Sequence, residues 1–140
     1  MTIQLDRPVD DAALRDTTTG TVSTDALDYD AAVELGAQIS AGASKVARTT
    51  AAWVEMVGQF DARGGAFQMW MDSTAQWLAY ACSMSAGTAR EHVRIARALR
   101  EMPLIAAAFG DGLLSFSKVR ECTRLAGMID EKILLERARN

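Results

Sequence analysis

The chain has 140 residues and a mass of 15.1 kDa, with 15 Lys and Arg against 18 Asp and Glu, net charge −3 and a pI near 5.1. That leaves room for one domain, able to bury about two-thirds of its unfolded surface. One His and two separated Cys exclude a His-rich zinc site, a His-metal nuclease centre and a disulfide framework within these residues, so no metal or cofactor is expected. No apolar run approaches the roughly 18 residues of a membrane span. The N-terminus has no cationic flank before a hydrophobic stretch and therefore no secretory signal. The expectation is a cytoplasmic protein with no membrane partner and no evident small-molecule substrate.

Residues 1–22 are rich in Asp, Thr and Gly and lack periodicity, which predicts a disordered or weakly attached arm. Ser23 or Thr24 can cap a helix whose first turn holds Asp25 and Asp28, both favourable at the positive end of the helix dipole. From there Leu35, Ile39, Gly42, Val46, Thr49, Trp53, Met56 and Phe60 alternate steps of four and three. The spacing predicts one long helix over about 25–62, near 55 Å at 1.5 Å per residue, with Gly64 and Gly65 as C-caps. Two packings are open to it. The helix either pairs with a second copy through Ile39, Val46 and Trp53, or bends and packs within the monomer, since Gly42 and Thr49 weaken a strict coiled coil.

Phe67, Trp70, Trp77, Leu78 and Ala81 space a further helical face over 67–84, broken near Asp72 and Ser73. Shorter helices follow at Thr88–Met102, Pro103–Phe109, Ser117–Ala126 and Glu131–Arg139. Pro103 suits a first helical turn, and Gly110, Asp111 and Gly112 form a turn. No strand-length segment alternates with period two, so the fold class is all-α: a long N-terminal helix packed on a bundle of shorter ones. Trp53, Trp70 and Trp77 read as core anchors. Cys82 and Cys122 read as reduced, buried packing residues.

Gln76 to Val93 has the layout of a helix-turn-helix, with small Ala79 inside the first helix and apolar Met84 in the turn, and with Ser83 where such turns carry Gly. At about 100° per residue, Arg90, Arg94, Arg97 and Arg100 share one side of the second helix. Ala89, His92, Ile95, Ala96 and Leu99 take the other. An arginine stripe opposite an apolar face is what entry into a DNA major groove requires. It is equally what a solvated face looks like, and Glu101 stands where it can neutralise Arg97. Charge is segregated along the chain: residues 1–87 hold 5 basic and 11 acidic groups, net −6, and residues 88–140 hold 10 and 7, net +3. Thr88 and Arg100 would flank the contact, while Arg120 and Arg124, one turn apart, either extend a phosphate-binding surface or are simply solvated. His92, central on the apolar face, is expected to be packed with one ring nitrogen hydrogen-bonded. As a catalytic base it lacks a nucleophile or metal partner.

The text FDARGG at 60–65, the run from Ser73 to Ala126 containing WLA, TAREHVR, ARAL and SKVR, and the closing ILLERAR together resemble the N-terminal domain of the actinobacterial 13E12 repeat proteins, domain of unknown function 222. The resemblance covers about 25–139. In that family the domain commonly precedes an HNH nuclease, whose histidines bind metal and activate water. These residues hold no HNH signature, and one imidazole cannot supply both ligand and base. The resemblance therefore implies a non-catalytic role in targeting or assembly around DNA, with helical protein interaction or homodimerisation as the alternative.

Overall fold

The computed structural model describes residues 23–140; the arm expected over 1–22 lies outside them. Seven helices and no strand are present among the described residues: α1 Tyr29–Ala62, α2 Gly65–Gln68, α3 Thr74–Ala81, α4 Ala86–Arg100, α5 Pro103–Gly110, α6 Phe116–Arg124 and α7 Glu131–Arg139. The chain divides into two units, Met1–Val33 and Glu34–Asn140. Of the first, the described part is the cap and opening turn of α1. None of the described helices is long and apolar enough to cross a membrane.

Short polar side chains set most helix starts. Asp28 Oδ1 accepts the Ala31 N–H at 2.8 Å, so α1 begins at Tyr29, later than Ser23 or Thr24 would have started it. Ser73 caps α3 by accepting from Gln76 N at 3.0 Å, and Gln76 Oε1 accepts in return from Asp72 N at 2.9 Å, close to a capping box. Ser85 caps α4, Ser115 caps α6 and Asp130 caps α7. Pro103 does open α5. Its N-cap, Met102, has no side-chain oxygen, and the orphan N–H of Ile105 donates instead to Glu131 Oε1 of α7 at 2.8 Å.

The core is the contact of α4 with α3, α5 and α6, closed by α7 against α5 and α6. Phe109, Leu78, Ile95, Ile105, Leu114, Val54 and Val119 are its fully buried side chains. The C-terminal half of α1 packs here through Ala47, Val54, Val57 and Gly58. A Cβ on Gly58 would lie 3.7 Å from Ala96, so the two helices meet where both carry minimal side chains.

This corrects the seam drawn from the large residues. Trp53 and Phe60 are half-buried, but Leu35, Ile39, Gly42, Val46, Thr49 and Met56 lie in solvent. Close approach selected the small residues one position further along. Three further expectations fail in the same way. Trp70 is 96% exposed and Phe67 80%, because the single turn of α2 buries Ala66 instead. Ala81 is exposed. Cys82 is exposed while Cys122 is buried, and burial pushes the Cys122 thiol up.

The hairpin turn contains Ser83 at φ 53, in the left-handed region that favours Gly. The exposed Ser83→Gly variant is expected to be more stable by about 0.5 to 1 kcal/mol, the relief of αL strain less the added unfolded-state entropy. Urea unfolding checks this; an unchanged midpoint would show the turn to be unstrained.

Candidate functional site: an arginine cluster on the helical hairpin

α3, the turn and α4 form the hairpin anticipated over Gln76–Val93, with Leu78 buried and Ala79 and Met84 half-buried beneath it. His92 Nδ1 donates to the Thr88 carbonyl at 2.8 Å. Its ring stacks on Phe116 at 5.0 Å and meets Trp53 edge-on at 5.3 Å. It is the packed histidine the sequence indicated, and it ties Trp53 to the chain's own bundle rather than to an outside surface.

The four arginines of α4 do not act as one stripe. Arg97 binds Asp61 of α1 in bidentate fashion, Nε to Oδ2 at 2.8 Å and Nη2 to Oδ1 at 2.9 Å; Glu101 is not its partner. Asp61 also accepts from the buried Thr74 hydroxyl at 2.6 Å, and the Arg97 hydrogen bond holds its carboxyl below the usual carboxylate range. The FDARGG text is accounted for locally. Phe60 stacks on Trp77 at 4.4 Å, Asp61 clips three helices together, Gly64 takes φ 74, and a Cβ on Gly65 would sit 2.4 Å from the Phe60 ring. Arg100 lies elsewhere, with Arg48 and Arg63 along a groove of about 510 Å³ whose floor includes Ala51, Gly58 and Ala96. Among the described residues, neither Arg90 nor Arg100 has an ion pair, and Thr88 is exposed.

Arg94 instead joins Arg120 and Arg124 of α6 around a single carboxylate. Arg94 is bidentate on Glu91, at 3.0 and 2.7 Å, and also reaches Thr123 Oγ1 at 3.3 Å. Arg120 Nε donates to Glu91 Oε1 at 3.1 Å, and Arg124 lies 3.6 Å from the same oxygen. The Arg94 hydrogen bonds, reinforced by Arg120, hold Glu91 at about 2. Three guanidiniums thus share one negative charge. The side chains of Arg120 and Arg124 remain 48% and 55% exposed, and among the described residues Arg120 commits only Nε, leaving its other N–H donors without a protein partner. Glu91 and Asp61 escaped the sequence reading. The i, i+3 spacing of Glu91 and Arg94 was a usable signal, whereas the pairing of Asp61 with Arg97, 36 residues apart, had none.

No group of three or more His, Cys, Asp or Glu is placed to hold a metal ion among the described residues. What the fold and site define is an all-α domain with a helical hairpin, α3 to α4, whose second helix shares an arginine–carboxylate cluster with a neighbouring helix. The chain belongs to the family DUF222, described as a domain of unknown function, whose model matches residues 37–139. No curated protein and no solved structure matches it.

Proposed function

We propose that this domain is a non-catalytic, cytoplasmic DNA-binding or DNA-targeting module. The supporting observation is the Glu91-centred cluster. It pre-orients Arg94, Arg120 and Arg124 on two packed helices while leaving net positive charge and free donors, and pre-ordered guanidiniums lose little entropy on meeting a phosphate. Arg90 and Thr88, at the exposed start of α4, extend the surface. Arg97, held by Asp61, contributes to the fold rather than to the contact. The resemblance to domains that precede HNH nucleases fits a targeting role.

Fluorescence anisotropy with a labelled duplex at low salt tests this reading. The Arg120→Ala/Arg124→Ala double variant is expected to bind more weakly, and its plot of log affinity against log salt should be shallower by about one unit per phosphate contact removed. Equal binding by both proteins, or none by the wild type, sinks the proposal. The second reading, helical self-association, is favoured by a separate feature, the uncovered face of α1.

A further inference from the structure

Leu35, Ile39, Gly42 and Val46 lie on one face of α1, spaced four, three and four. Ile39 and Val46 are each 66% exposed and Leu35 is 44% exposed. From Ala47 onward the adjoining face is covered by the chain's own helices. The strip itself stays open beyond Val46 at Thr49 and Met56, with Trp53 and Phe60 half-buried. Gly36 and Gly42 sit within the open part, where a Cβ on either would meet nothing within 4 Å. Mid-helix glycines weaken a helix, and no contact within the chain requires these two. Small residues at such positions let a second helix axis come close.

We propose that this strip joins two copies of the chain, paired antiparallel about a two-fold axis between Ser40 and Ala41. In that register Leu35 of one copy packs on Val46 of the other, and Ile39 fills the notch left by Gly42. Such a contact is isologous, each layer occurring twice. Charge selects the antiparallel arrangement. Glu34 and Lys45 lie on one flank of the strip. Antiparallel pairing brings Glu34 of each copy towards Lys45 of the other on one side of the contact, whereas a parallel two-fold puts this flank on opposite sides and forms no such pair. The twelve residues from 35 to 46 span about 18 Å, a small contact beside the roughly 1,200–2,000 Å² of a standard interface. The dimer is accordingly reversible and concentration-dependent.

Sedimentation velocity of the full chain without nucleic acid should show a rise towards twice the 15.1 kDa chain mass as concentration increases. Ile39→Asp should abolish that rise with unchanged helical circular dichroism, since its side chain makes no buried contact within the chain. A wild type that stays monomeric throughout, or a dimer that survives Ile39→Asp, overturns the proposal. Orientation is read by oxidative cross-linking in a Cys82→Ser background. Leu35→Cys chains should cross-link when mixed with Val46→Cys chains and not among themselves, since an antiparallel pair sets the two Leu35 positions about 16 Å apart along the axis, and efficient self-linking of Leu35→Cys would mean a parallel pair and also overturn it. Because no DNA is present, the result is independent of the nucleic-acid reading.

Discussion

Asp61→Ala is expected to lower the unfolding free energy by about 2 to 3 kcal/mol. Among the described residues the carboxylate is the only acceptor for the hydroxyl of Thr74, which is 5% exposed, and losing the partner of a buried polar group costs about 1 to 3 kcal/mol. The bidentate pair with Arg97 adds less, because that arginine side chain is 64% exposed and solvent screens it. Arg97→Ala should therefore cost about 1 kcal/mol, and Asp61→Asn, which retains an acceptor for Thr74, should fall between the two. Urea unfolding of the three variants separates the contributions. If Arg97→Ala proved as damaging as Asp61→Ala, the clip would depend on the ion pair, and the Thr74 hydrogen bond would not be its main contributor.

Glu91→Gln should lose about 1 to 2 kcal/mol of stability at neutral pH and gain affinity for DNA. The carboxyl titrates at about 2 in the folded protein against 4.5 for the unperturbed group. A group whose folded value is depressed stabilises the fold above its unfolded value, and that contribution disappears as pH falls through the folded one. The window is thus about pH 5 to 2. The full gap corresponds to about 3.4 kcal/mol, which screening at Arg94, Arg120 and Arg124, exposed by 36%, 48% and 55%, reduces to the figure above. In acid, the wild type should lose stability more steeply than Glu91→Gln; parallel acid limbs for the two proteins would refute the assignment. The affinity gain follows because the substitution removes the negative charge that competes with phosphate for three guanidiniums. A variant that is less stable yet binds DNA more tightly would separate a recognition surface from a merely structural cluster.

Much of the fold was legible from residues close together in the chain. The end of α1 before Gly64, the break at Ser73, the start of α5 at Pro103 and the bounds of α7 each depend on groups within about four residues of one another, the reach of a cap or a C-terminal glycine. The packed state of His92 was legible too, because its place among apolar neighbours on α4 left it no other role. Ser83 was singled out as a departure from the glycine such turns carry, and it occupies the left-handed region that glycine favours.

The sequence by itself determined an all-α chain, several of its helix ends and the hairpin, since helical period and capping are local properties. Tertiary structure decided which side of each helix is buried and what each arginine holds. α1 turned Ala47 and Gly58 inward because helices approach most closely where side chains are smallest, so ranking residues by hydrophobic size misplaced the seam and left Ile39 and Val46 outside. Trp53 and Trp70 look alike in the sequence, yet only Trp53 has a neighbour, His92, that arrives from another helix. The arginines of α4 were dispersed to Asp61, Glu91 and the groove by partners up to 36 residues away. Charge pairing at that range depends on which helices pack together, and helical periodicity carries no record of it.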